Sequence, residues 1–84
     1  MELITLLGLA AATCTTISFL PQAIKIIKTK HVKGLSLGMY TILTAGIFLW
    51  LLYGILIQDL PIILANGTTL IFVATILFLI IKYK

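Results

Sequence analysis

Two amides, an indole, a carboxylate and a proline stand in or beside the long apolar runs of this chain. Pro21 and Gln22 sit side by side in one apolar run, Trp50 and Tyr53 lie close together in a second, and Asn66 lies in a third. Asp59 stands between the second run and the third. Proline has no N–H, and its ring clashes with the carbonyl one turn back. The carbonyl of Ile17 therefore loses its helical partner, and in lipid it needs a neighbour or a water-lined cavity. The Gln22 and Asn66 amides are also costly against hydrocarbon. A hinge, amides and an aromatic plate suit reversible binding beside a path that bends. A static kink at Pro21 explains the proline equally well.

No constellation for covalent chemistry accompanies them. There is no serine, histidine and carboxylate set, no carboxylate pair and no phosphate-binding glycine loop, so no enzyme is expected. Cys14 is the single cysteine and lies in an apolar run, where it reads as a small packing residue. His31 has no Cys, Asp or Glu beside it, so neither a metal nor another cofactor is expected.

The elements that hold these residues must be membrane helices. Of 84 residues, 62% are hydrophobic and 10% charged. A soluble domain of that length has too much surface to hide so much apolar side chain, and the length allows one domain at most. Spans are expected at about 3–27, 35–57 and 61–81, each enough to cross roughly 30 Å of hydrocarbon as a helix. None alternates with the period of a barrel strand. The N-terminus lacks a basic region and its apolar run is too long for a signal peptide. Gly34 and Ser36 mark a turn and an N-cap for the second helix. Pro61 fits the first turn of the third.

The net charge of +4 reads as topology rather than as affinity for nucleic acid. Lys25, Lys28, Lys30 and Lys33 surround the first connection, and Lys82 and Lys84 close the chain. Glu2 and Asp59 mark the other side. The excess of lysine puts both basic clusters and the C-terminus in the cytoplasm, with the N-terminus outside.

Helical spacing assigns faces. Thr15, Ser18, Phe19 and Gln22 share one side of the first span, and Gly8, Ala12 and Thr16 are small residues suited to close helix contact. Met39, Leu43, Gly46, Trp50, Tyr53 and Ile57 form one stripe in the second, and Asn66, Thr69 and Val73 align in the third. At 1.5 Å per residue, Trp50 lies about 10 Å below the outer end of its helix, Asn66 about 8 Å below its own, and Pro21 about 9 Å from the inner end. Plainer readings fit the same residues. Trp50 suits an interfacial belt, and Asn66 suits a hydrogen bond that glues helices together. Tyr53 and Asp59 suit an aromatic anchor and a solvated loop charge, and Met39 suits a core.

Three helices packed on one another leave no room for a hydrated path. A two-fold dimer of protomers inserted the same way up has its axis along the membrane normal. Stripes facing that axis bring two copies of Trp50 and Asn66 to a central cavity. Aromatic faces cover sugar C–H patches, and amides exchange hydrogen bonds with hydroxyls. No group suited to proton or sodium coupling lines the helices, so facilitated diffusion is expected.

Phe19-Leu20-Pro21-Gln22 resembles the motif of the PQ-loop transporters. The basic loop running into Gly34-Leu35-Ser36, Trp50 followed by Tyr53-Gly54, and Pro61 followed by Asn66 resemble the bacterial SemiSWEET sugar transporters. The resemblance spans nearly the whole chain. It implies an all-α membrane protein, a triple-helix bundle with the third helix between the first two, and a parallel homodimer. It further implies a uniporter that moves mono- or disaccharides across the inner membrane by alternating access. Trp50 and Asn66 would be the sugar-binding pair, and Pro21 the hinge, with Gln22 completing its motif. Tyr53 and Asp59 would belong to an outer gate, Phe19 and Met39 to an inner one. An arginine that some relatives use at the outer gate has no counterpart; Ile57 fills that region. Two alternatives stay open: a PQ-loop transporter of another small polar solute, and a small holin-like pore.

Overall fold

The computed structural model describes residues 2–83. Its elements are the helices α1 (Leu3–Thr29), α2 (Leu37–Leu56) and α3 (Leu60–Tyr83). All three are long and apolar enough to cross a membrane. α1 is uninterrupted through Pro21, which lies on its exposed side.

Local chemistry sets the helix ends. α1 runs on to Thr29, whose hydroxyl donates back to the Lys25 carbonyl at 2.8 Å in the last turn. Lys30 then turns into the left-handed region and donates its N–H to the Ile26 carbonyl. α2 begins at Leu37, later than the apolar run itself, because Ser36 caps it: the Ser36 hydroxyl accepts the Met39 N–H at 3.1 Å. Gly34, at φ 90°, supplies the turn before it. α2 closes with the Gln58 N–H on the Ile55 carbonyl and the Asp59 N–H on the Gly54 carbonyl. That pair of bonds, with Gln58 left-handed at φ 56°, is a Schellman closure. Asp59 then caps α3, its carboxylate accepting the Ile62 N–H at 3.1 Å. Pro61 falls in the first turn, where a missing N–H costs nothing.

Two short connections make the helices successively antiparallel. α3 packs against both α1 and α2, and among the described residues those two do not meet. The third helix therefore stands between the first two. The molecule measures 45 × 23 × 14 Å, a flattened slab. Its core sits at the end that carries the lysine loop. Ala23, Tyr40, Ile76, Leu79 and Ile80 are buried there, and Val32 folds in from the loop to join them.

The Ser36 cap gives a direct test of this reading. Ser36→Ala leaves the Met39 N–H without its acceptor and should cost about 1 kcal/mol. The midpoint of thermal unfolding in detergent should fall, with helix content unchanged. An unaltered midpoint would mean that water caps α2 just as well.

Candidate functional site

α2 buries one line of residues and leaves the next line bare. Tyr40, Ile47 and Gly54 recur every seventh position and are buried against α3. One residue ahead of each stand Met39, Gly46 and Tyr53, interleaved with Leu43, Trp50 and Ile57. Met39 is 52% exposed, Trp50 56% and Tyr53 50%. The Trp50 and Tyr53 rings meet edge to face, 5.5 Å apart at 87°, which holds the indole plane in one attitude. With Gly46 and Leu49 they bound a shallow hollow of about 370 Å³.

α1 repeats the pattern. Phe19, Ala23 and Ile26 pack into the core. One residue ahead of each, Ser18, Gln22 and Lys25 are exposed. Thr15 and Thr29 extend this polar stripe at both ends, so it runs further along α1 than Gln22, where the sequence reading stopped. The same three-and-four spacing would have revealed the extension. The Thr15 and Ser18 hydroxyls donate back to the carbonyls of Ala12 and Thr15 at 3.2 and 2.9 Å. α1 and α2 flank α3 on opposite sides and run in opposite directions. These two reversals cancel, so a stripe one residue ahead of the packing line in both helices falls on a single face of the slab.

Asn66 is half-buried on α3. Its amide donates to the Ile62 carbonyl at 3.0 Å, which fixes the side chain and leaves the amide oxygen and a second N–H for other partners. It lines a cleft of about 650 Å³ at the end opposite the lysine loop, with Glu2, Thr5, Gly8, Asp59 and Pro61. Within one protomer Trp50 and Asn66 therefore border different hollows. Asp59 has a structural task as the α3 cap. Phe19 is half-buried against the core at the lysine end, while Pro21 and Gln22 are exposed. The sequence reads Gly54 only as part of a motif with Tyr53; in the structure a Cβ there would lie 2.6 Å from the Ile62 Cγ2.

The model of the PQ loop repeat matches residues 3–63. The chain belongs to the PQ-loop family. Within it, this PQ-loop protein is 44% identical over 81 residues to the sugar transporter SemiSWEET of Bradyrhizobium diazoefficiens, covering 96% of this chain and 94% of that one. It is 51% identical over 73 residues to the SemiSWEET of Leptospira biflexa, covering 87% and 86%. A crystal structure of SemiSWEET in the inward-open conformation superposes with a TM-score of 0.93 at 38% identity, over 96% of this chain and 94% of the other. A bacterial homologue of SWEET transporters superposes with a TM-score of 0.82 at 43% identity, over 99% of this chain and all of that one. The PQ-loop protein is thus a SemiSWEET-type membrane protein, of a transporter family and not an enzyme.

Proposed function

We propose that the protein carries mono- or disaccharides across the bacterial inner membrane as a parallel homodimer, by alternating access and without a coupling ion. The observation that carries this reading is a bare, Trp50-bearing face on a slab 14 Å thick. One protomer of that shape encloses nothing, and a second copy seated face to face encloses a path. The curated relatives at 44% and 51% identity are sugar transporters, which favours the same reading. Across the axis, two indoles cover the apolar faces of a sugar ring, and two Asn66 amides meet its hydroxyls. Glu2 and Asp59 are the only carboxylate side chains and both lie at one end, so the middle of the path has no ion-coupling group. Tyr53 and Asp59 form the rim at that end, while Phe19 and Met39 stand toward the other.

The lysine end faces the cytoplasm in this scheme, because the basic residues cluster there. In a Cys14→Ser background, cysteines at Gln58 and Lys30 should label from opposite sides of the membrane. Labelling of both from one side would end the three-span topology.

Pro21, followed by Gln22, is the hinge. It has already removed one backbone hydrogen bond, so the segment beyond it swings without opening another in lipid. Pro21→Ala restores a bond worth about 1 kcal/mol, enough to slow exchange about fivefold. Sugar binding should change little, and Gly at the same place should slow flux less than Ala, because glycine keeps the backbone soft. Parental flux in Pro21→Ala would make the proline a static kink. The function itself is tested by uptake of labelled sugars and amino acids into liposomes, with protomers counted in detergent. Amino-acid flux without sugar flux, or a large ring in place of a dimer, would overturn it.

A further inference from the structure

Charge in this protein is separated along its length. Its side-chain carboxylates are Glu2 and Asp59, and both line the cleft at one end. Lys25, Lys28, Lys30 and Lys33 lie in or after the last turns of α1, at the other end. From Leu3 to Lys25 the helix rises roughly 33 Å, several times the Debye length of about 8 Å at physiological salt. No side-chain carboxylate of the protomer therefore neutralises the lysine end.

At that end a groove of about 500 Å³ is lined by Gln22, Lys25, Ile26, Thr29 and His31. Thr29 organises it. Its hydroxyl donates to the Lys25 carbonyl at 2.8 Å and accepts the His31 N–H at 3.3 Å. One hydroxyl thus ties the last turn of α1 to the residue that follows, and keeps His31 beside Lys25. Gln22, Lys25 and Thr29 continue the polar stripe of α1, so the groove opens on the face that carries Trp50. Ile17 and Ile24, 63% and 41% exposed, point away from that stripe. One term opposes an anion here: the C-terminal carbonyls of α1 carry about half a negative charge. The Lys30 N–H closes one of those carbonyls, that of Ile26. Lys25 sets its charge in the groove itself, and Lys28, Lys30 and Lys33 add to the positive potential of this end.

We propose that this groove binds the phosphate group of a small soluble phosphate ester, at the lysine-end mouth of the transport path. A phosphate dianion meets the Lys25 ammonium, the Gln22 amide and a ring N–H of His31. A neutral sugar gains nothing from that charge and passes. The groove opens on the path face rather than on the isoleucine face that lipid covers, so the ligand comes from water and not from a lipid headgroup. Phosphorylated sugars are members of this ligand class. An occupied groove places a hydrated dianion in the mouth and slows sugar entry from that side. The groove is a property of the protomer; only its position at a mouth rests on the dimeric transport reading.

The probe is inorganic phosphate, titrated calorimetrically onto the full-length protein in neutral detergent at constant ionic strength, with chloride as the reference anion. Saturable binding in roughly the millimolar range is expected. Lys25→Gln combined with His31→Gln should weaken it at least about tenfold, whereas Lys33→Gln, outside the groove, should leave it within about twofold. Circular dichroism checks that each variant is folded. Equal response to chloride, or equal loss in Lys33→Gln, would mean diffuse charge and overturn the site. A second arm repeats the titration in phosphatidylcholine vesicles with and without phosphatidylglycerol. Undiminished phosphate binding supports a soluble ligand, and its loss to phosphatidylglycerol gives the groove to a lipid headgroup and overturns the proposal. Absence of all sugar flux would sink the transport reading and leave the phosphate titration legible.

Discussion

Trp50→Ala is expected to take sugar uptake to background while the dimer still forms. Trp50 is 56% exposed in the protomer, so its truncation removes little intramolecular packing. What the protomer loses is the edge-to-face contact with Tyr53, worth about 1 kcal/mol. What the binding site loses is larger. A covered aromatic side chain contributes about 1.5–3 kcal/mol, and the dimer presents two of them, so affinity should fall more than about a hundredfold. Asn66→Ala should act on the same step by a different route. It leaves sugar hydroxyls facing a methyl group in a closed site, at about 1–3 kcal/mol for each unpaired group. Leu56→Ala is the control, since Leu56 is 82% exposed and lies off the stripe. Binding and flux on the same proteoliposomes, with the dimer followed by cross-linking, make the measurement. A stable Trp50→Ala or Asn66→Ala protein that transports like the parent would reduce that residue to belt or glue.

The reason these two residues are readable at all is that lipid penalises them. An indole and an amide in apolar runs stand out against hydrocarbon, as do Pro21 and a serine placed just before a helix. The three spans and the Ser36 cap follow from such local rules. The α2 stripe from Met39 to Ile57 is legible for the same reason: period alone separates it from Tyr40, Ile47 and Gly54. Period does not say which line is buried, because both are apolar and lipid accepts either. The order α1, α3, α2 is likewise beyond pattern and came only from the family resemblance. Depth along the axis suggested that Trp50 and Asn66 meet. Depth carries no information about azimuth, and within one protomer they border different hollows. Val32 was invisible because a lone valine among lysines reads as loop, and only the fold of the chain over Ile80 and Tyr40 buries it. Close approach of backbones was partly legible. Gly8 was expected at a helix contact and lies 2.9 Å, by its missing Cβ, from Pro61. Gly54 was read only as part of a motif, since nothing local to it announces that Ile62 stands opposite.

Gly54 is where the largest loss of stability is expected. A Cβ built there would lie 2.6 Å from Cγ2 and 3.1 Å from Cβ of Ile62. Ile62 is β-branched and sits in the first turn of α3, one bond from the backbone, so its χ1 has little freedom to give way. The Gly54 carbonyl also closes the Schellman turn by accepting the Asp59 N–H at 2.9 Å. Moving α2 away from α3 would therefore strain the turn and the Asp59 cap together. Alanine gains about 1 kcal/mol in helix propensity over glycine, against an overpacking cost of about 1–3 kcal/mol. The cost should win, and leucine at the same place should separate α2 from α3 outright. The same substitution at Gly46 reverses the sign. A Cβ there meets nothing within 4 Å, so Gly46→Ala keeps the propensity gain and should raise the thermal midpoint. Two glycines in one helix, changed identically, should thus move stability in opposite directions. Ile62→Ala placed in the Gly54→Ala background removes the opposing Cγ2 and should recover part of the loss, a coupling of about 0.5–3 kcal/mol. Thermal unfolding of these variants in one detergent, with Ile62→Ala alone to close the cycle, decides the matter. If Gly54→Ala is as stable as the parent, α2 and α3 have room to spare, and the glycine serves the turn rather than the seam.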